Sequence, residues 1–159
     1  MSLVQATQQA ITGLTCPCSI PQTVVAADGD HRFSCELAEL DSLGLGFKQF
    51  ELSNSKLANA GIDDLKRVAE DLSKRLTYLL EPIAPIEVDA DQCIVQMRSF
   101  PPQRDPGKTS YYELLVKRGG QLTLSRYSKD DASGIRDEVP AQVTREVFWR
   151  LLRDFATAV

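Results

Sequence analysis

The chain has 159 residues, 43% hydrophobic and 25% charged, a globular composition long enough for one domain with its own core and no need of disulfides or a structural metal. No apolar run approaches the ~20 residues of a membrane span, and the opening MSLVQATQQAITGL lacks the basic and apolar regions of a leader, so the expectation is a soluble, cytoplasmic single domain over residues 1–159 with no membrane partner. Its 18 Lys and Arg against 22 Asp and Glu leave a formal charge of −4, which argues against nonspecific nucleic-acid binding, where many basic side chains must neutralise phosphates.

Leu3, Ala6, Ala10, Ile11 and Leu14 fall at helical spacing up to Gly13, and Pro17 and Pro21 make the stretch after it extended or turning. Residues 1–21 therefore read as a short helix plus a connector. Val24 and Val25 precede Asp28-Gly29, after which Phe33, Cys35 and Leu37 alternate with Arg32, Ser34 and Glu36, the pattern of a hairpin closed by a two-residue Asp-Gly turn. A further strand follows from Leu45 to Leu52. Its apolar positions switch parity between Phe47 and Phe50, which predicts a bulge near Lys48 and Gln49.

The clearest helix signal runs from Ile62 to Leu80, with Ile62, Leu65, Val68, Ala69, Leu72, Leu76, Leu79 and Leu80 at intervals of three and four and with Pro82 and Pro85 beyond. Asp63 with Arg67, Glu70 with Lys74 and Asp71 with Arg75 stand four apart with the acid first, each pair worth ~0.2 to 0.5 kcal/mol. Ser55 to Ala60 predicts a separate helical turn, broken at Gly61. Ile86 to Val88 and Cys93 to Phe100 form a second hairpin. Pro101 to Ser110, with three prolines and a glycine, reads as the longest loop.

Tyr111 to Lys117 and Gln121 to Tyr127 are strands joined through Gly119-Gly120, and two registers compete. A two-residue turn pairs Glu113 with Arg126, worth about 0.2 to 1 kcal/mol, but splits the leucines between faces. A three-residue turn, Arg118 to Gly120 with Gly120 left-handed, pairs Val116 with Leu122 and Leu114 with Leu124. It gathers Tyr112, Leu114, Val116, Leu122 and Leu124 on one face, where burial of each aliphatic contributes about 1.5 to 3 kcal/mol, so this register is expected. A last helix carries Val147, Phe148, Leu151, Leu152 and Phe155, with Thr144 as N-cap or Pro140 as an earlier start. Antiparallel strands joined by short turns, with two amphipathic helices each needing to bury one stripe, predict an α+β fold with both helices packed on one face of the sheet.

Chemistry-bearing patterns are sparse. Cys16, Cys18, His31 and Cys35 have poor spacing for zinc: one stiff proline separates the first two, and His31 and Cys35 in a strand stand roughly 13 Å apart. No metal is assigned. Cys35 and Cys93 read as buried thiols, leaving Cys16 and Cys18 with a redox alternative. Pro106-Gly107-Lys108-Thr109-Ser110 lacks both the first glycine and the following helix of a phosphate-binding loop. The pairs Asp28/Asp30, Asp63/Asp64, Asp89/Asp91 and Asp130/Asp131 sit at turns or a helix start, where short carboxylates serve local hydrogen bonding. With His31 the single histidine, no catalytic residue and no cofactor is assigned.

Charge is more informative by segment. Residues 98–129 carry 7 Lys and Arg against 2 Asp and Glu, whereas residues 1–97 carry 7 against 14. The basic island interleaves aromatics, and Tyr and Arg are the residues most often important in interfaces. Arg104, Lys108, Tyr111, Lys117, Arg118 and Arg126 are the candidate binding residues, with Trp149 beside Arg145 and Arg153 on the last helix as a further one. The order of helix, three strands, long helix, three or four strands and final helix resembles the class I type III secretion chaperones and related secretion-chaperone-like domains. That resemblance covers most of the chain as topology, matches no residue motif, and implies a homodimer that binds segments of partner proteins. The expected function is a non-enzymatic protein-binding or adaptor domain, chaperone-like, with a carboxylate-using enzyme or a small-anion-binding domain as alternatives.

Overall fold

A capping box opens the first helix, α1 (Leu3–Thr12), in the computed structural model, which describes residues 1–18 and 20–159: Ser2 Oγ accepts from the Gln5 amide and the Gln5 side chain accepts from the Ser2 amide. Three antiparallel strands follow, β1 (Gln22–Asp28), β2 (His31–Leu40) and β3 (Gly44–Asn54). The first turn lies one residue later than the Asp28-Gly29 reading: Asp28 pairs with His31, leaving Gly29 and Asp30 at the tip with Gly29 at φ +58°. A positive φ at the first central position is what glycine supplies to such hairpins. Between β2 and β3, Ser34 faces Glu51 but Glu36 faces Lys48, so Gln49 and Phe50 both oppose Cys35. The bulge falls where the parity change predicts it, with Gln49 at φ +51°, and it turns both Phe47 and Phe50 into the core.

Ser55–Leu57 form a single 3-10 turn before α2 (Ile62–Arg75). The helix is shorter than the leucine spacing predicts. It ends where Leu76 adopts ψ +68°, and the chain continues irregularly through Leu80 at φ +68°. Leu76 and Leu79 are nevertheless buried, so their spacing records burial in a loop that returns to the sheet rather than further helical turns. The ion pairs also differ in part: Arg67 meets Asp64 rather than Asp63, while Asp71 and Arg75 pair at 2.9 Å as expected.

The second half of the chain adds β4 (Ile83–Asp89), β5 (Ile94–Ser99), β6 (Gln103–Asp105), β7 (Lys108–Lys117), β8 (Gln121–Asp130), β9 (Arg136–Val139), β10 (Ala141–Thr144) and α3 (Arg145–Ala158). Residues 101–110 are not one loop, because β6 pairs with the start of β7 around the turn Pro106-Gly107. The β7–β8 hairpin takes the three-residue register, Leu114 opposite Leu124 and Val116 opposite Leu122, with Gly120 at φ +68°. Thr144 caps α3 by accepting from the Val147 amide.

The strands form one antiparallel sheet in the order β1-β2-β3-β8-β7-β5-β4. Strands β3 and β8 pair only through Phe50–Leu52 and Leu122–Leu124 and then diverge. Into that fork run β9 along β8 and β10 along β3, separated by Pro140 alone. All three helices pack on one face: α1 on β1, α3 on β3 and β10, and α2 on β4, β5 and β7. The core between the layers centres on Phe33, Phe47, Phe50, Phe148 and Phe155, with Phe50 and Phe155 ring centroids 5.1 Å apart and edge to face. The fold class is therefore α+β as the sequence predicts, with a sheet larger than expected and α1 as a third member of the helix layer. Among the described residues no helix is long and apolar enough to cross a membrane.

Candidate functional site

Because side chains alternate across a strand, the register decides which basic residues share a surface. On the face away from the helices, Arg104 of β6 stands opposite Thr109 of β7, which stands opposite Lys129 of β8, which stands opposite Arg136 of β9. Three cations thus lie in one row across four strands, a span of about 14 Å at the usual interstrand spacing. In the next row Tyr111 faces Tyr127, with ring centroids 6.1 Å apart. In the row after that Arg98 faces Glu113.

Glu113 organises this surface. It is 5% exposed and accepts from Gln96 at 3.0 Å, Arg98 at 3.3 Å and Arg136 at 3.0 Å. Burial alone would raise its pKa, but the donors from Arg136, Gln96 and Arg98 outweigh that and hold the carboxyl below its ordinary value. Arg136 also donates to Tyr111 Oη at 3.2 Å and stacks on Tyr127 with its guanidinium 3.9 Å from the ring centroid, while Arg98 stacks on Tyr111 at 4.6 Å. The hydrogen bonds to Glu113 and Tyr111 raise the Arg136 pKa above its already high value, so its charge is fixed. Two guanidinium groups are thereby held flat over two tyrosine rings, still about two-fifths exposed, beside the free side chains of Arg104 and Lys129. The acids nearby have local partners: Glu138 accepts from the Gln49 amide and Asp131 from Thr109 Oγ1.

The candidate binding residues do not all gather here. Arg104 and Tyr111 lie on this face. Lys108 and Arg126 project from the helix side of the same strands, by the same alternation. Lys117 and Arg118 stand at the opposite end of β7, roughly 30 Å from Lys108 along the strand. Arg126 is 12% exposed in a cavity of about 210 Å³ lined by Glu81, Gln103, Tyr112, Pro140 and Gln142 among others. Its Nη2 donates to Glu81 at 3.2 Å and Gln103 at 2.9 Å, and the guanidinium stacks on Tyr112 at 4.6 Å. Ser99 Oγ completes the tie by donating to Glu81 and accepting from the Tyr112 amide. Trp149 is half-buried with its ring 5.1 Å from Phe148. Of the arginines near it, Arg145 donates to the Asp41 carbonyl and Arg150 stacks on Tyr78.

Sequence reading missed Arg136 and Glu113. Arg136 falls in an acidic stretch with no strand pattern, and Glu113 carries no motif. Its one sign is an acid alone among apolar neighbours in a strand whose surroundings are basic. The acid pairs behave as turn chemistry only in part: Asp89, Asp130 and Asp64 accept locally from the Gln92, Ala132 and Gly61 amides, whereas Asp30 accepts from Ser55 Oγ and Asp131 from Thr109 Oγ1 across the fold. Comparison with known proteins finds no family model that matches the chain, and no curated protein or solved structure that matches it.

Proposed function

We propose that the chain is a protein-binding or adaptor domain, of the kind the chaperone-like order of its elements implies, and that it holds an acidic, extended segment of a partner protein across the outer sheet face. The observation that supports this reading is the row Arg104, Lys129 and Arg136, continued by Arg98, in which two of the four cations are preorganised over Tyr111 and Tyr127 by a buried carboxylate. Preorganised charge loses little side-chain freedom on binding. With an overall charge of −4, attraction for an acidic segment depends on local clusters of cations such as this one rather than on bulk electrostatics.

The test is fluorescence anisotropy with a labelled peptide of alternating Glu and small residues, against a Lys-containing peptide of the same pattern. The acidic peptide is expected to bind more tightly, to weaken with added salt, and to lose ~10-fold or more in affinity in the Arg104→Glu, Lys129→Glu double variant. Lys117→Glu with Arg118→Glu, at the far end of the hairpin, is expected to leave binding nearly unchanged. Equal binding of the two peptides, or equal losses in the two double variants, would reject this face.

A further inference from the structure

The two edges of the sheet are built differently. Strand β4 guards its edge: Pro85 removes a donor, the pairing with β5 slips between Pro85 and Glu87, and Glu87 and Asp89 add charge. Strand β1 has neither the proline nor the slip, and its one charge is Asp28 at the hairpin end. Its sequence QTVVAAD contains no proline and no basic residue, its register with β2 is unbroken from Gln22 to Asp28, and nothing among the described residues pairs with its outer edge. Val25, in the middle, is 68% exposed.

The surroundings of that edge are as unusual as the edge. Residues 1–27 contain no Asp, Glu, Lys, Arg or His. They make up α1, the connector and nearly all of β1, and α1 packs on β1 with α3 at one side, so that end is poor in charge: Asp28 ends β1, and Arg32 and Glu36 of β2 stand opposite Ala27 and Thr23. The solvent-facing positions of α1 are Gln5, Gln8, Gln9 and Thr12.

We propose that β1 pairs antiparallel with β1 of a second copy, joining two sheets into one across a two-fold axis at Val25. A second copy also carries −4, so the charge-poor end is the surface on which two copies meet with least like-charge repulsion. The strand is also self-complementary. Centred on Val25, the pairing sets Val25 against Val25 of the other copy, Val24 against Ala26, Thr23 against Ala27, and Gln22 against Asp28, so no two acids face each other. Alternation keeps Val24 and Ala26 of both copies on the helix side, continuing the core beneath two neighbouring α1 helices. The inference rests on the contrast between the two edges and is independent of the proposed binding face.

Sedimentation velocity over a wide concentration range tests it. The wild-type chain is expected to form a species of twice 17.6 kDa. Val25→Lys, at an exposed position on the solvent face, is expected to raise the dimer dissociation constant at least ~100-fold with an unchanged circular dichroism spectrum. Ile86→Lys on the opposite edge is expected to change nothing. Val25→Cys, in a background of Cys16→Ser and Cys18→Ser, is expected to give a disulfide-linked dimer on treatment with oxidised glutathione, each crosslink releasing two reduced glutathiones. Because directly opposed residues in antiparallel strands stand about 4.5 to 5.5 Å apart at Cα, within disulfide reach, this variant reports the pairing even if Val25→Lys perturbs the fold. A wild-type chain that stays monomeric, including one that accepts only a foreign strand at this edge, overturns the proposal, as does a dimer that Val25→Cys does not crosslink.

Discussion

Glu113 shows how much of this surface depends on a single carboxylate. Replacing it with Gln retains shape and one acceptor but leaves Arg98 and Arg136 facing each other over the two tyrosines without a counter-charge. Loss of a mostly buried, multiply bonded partner is expected to lower stability by about 2–4 kcal/mol at neutral pH, read by urea denaturation. The pH dependence has a definite sign. The folded pKa lies below the unfolded value of about 4.3, so the contribution is complete above that value and disappears as pH falls through the folded one. Wild type and Glu113→Gln are thus expected to converge in stability on acidification, and a gap of equal size at both pH values would show that charge is not the basis of the effect. Cysteine reactivity follows burial in the same way. Burial pushes the Cys35 thiol up to about 12, so Cys35 is expected to resist iodoacetamide at about pH 8 in the folded chain while exposed Cys16 is modified, as peptide mass mapping would report.

Among the elements, the β7–β8 turn separates backbone strain from steric room. Gly119 sits at φ +87° with open space where a Cβ would go, whereas Gly120, at φ +68°, would place a Cβ 2.7 Å from Leu57 Cβ and 3.0 Å from the Asn54 carbonyl oxygen. Gly119→Ala is expected to cost about 1 kcal/mol and Gly120→Ala roughly 3 kcal/mol or more, because only the second adds a clash with the 3-10 turn to the strain of a positive φ. Equal losses in thermal denaturation would mean that the 3-10 turn moves aside freely. The register behind this turn was legible in the sequence because burying five apolar side chains outweighs one exposed ion pair, and the β3 bulge was legible because a parity change has few other meanings. Strands β9 and β10 were not. Arg136–Val139 lacks apolar alternation and Ala141–Thr144 alternates over four residues only; both pair because β3 and β8 diverge and leave their edges open, a tertiary cause that no local pattern carries. For the same reason the row of cations was half visible: Arg104 and Lys129 belong to the basic island, but Arg136 joins them only through the register of β9.

Across the whole molecule, the helices cover only part of the sheet, and this fixes where the fold is firm. Leu114, Val116, Leu122 and Leu124 are fully buried under the helix layer, whereas the other end of the same hairpin, with β6 and β9, extends past that layer. There the side chains are polar on both faces: Gln103, Ser110, Ser128 and Asp137 on the helix side, and Arg104, Thr109, Lys129 and Arg136 on the other. The cross-strand hydrogen bonds continue to the tip, yet little apolar burial supports them, so opening this end is less costly than opening the middle. Native-state hydrogen exchange is expected to show Leu114, Val116, Leu122 and Leu124 amides exchanging only through global unfolding. The hydrogen-bonded amides from 103 to 110 and from 128 to 139 are expected to exchange by local opening, with little dependence on denaturant. A ligand on the outer face bridges β6, β8 and β9, so it should slow local opening at that end as well as global unfolding, which it makes more costly wherever it binds. Slowing confined to the globally exchanging core amides, with those from 103 to 110 and from 128 to 139 unchanged, would instead mean that the peptide stays bound through the local opening, and would place the contact away from the row of cations.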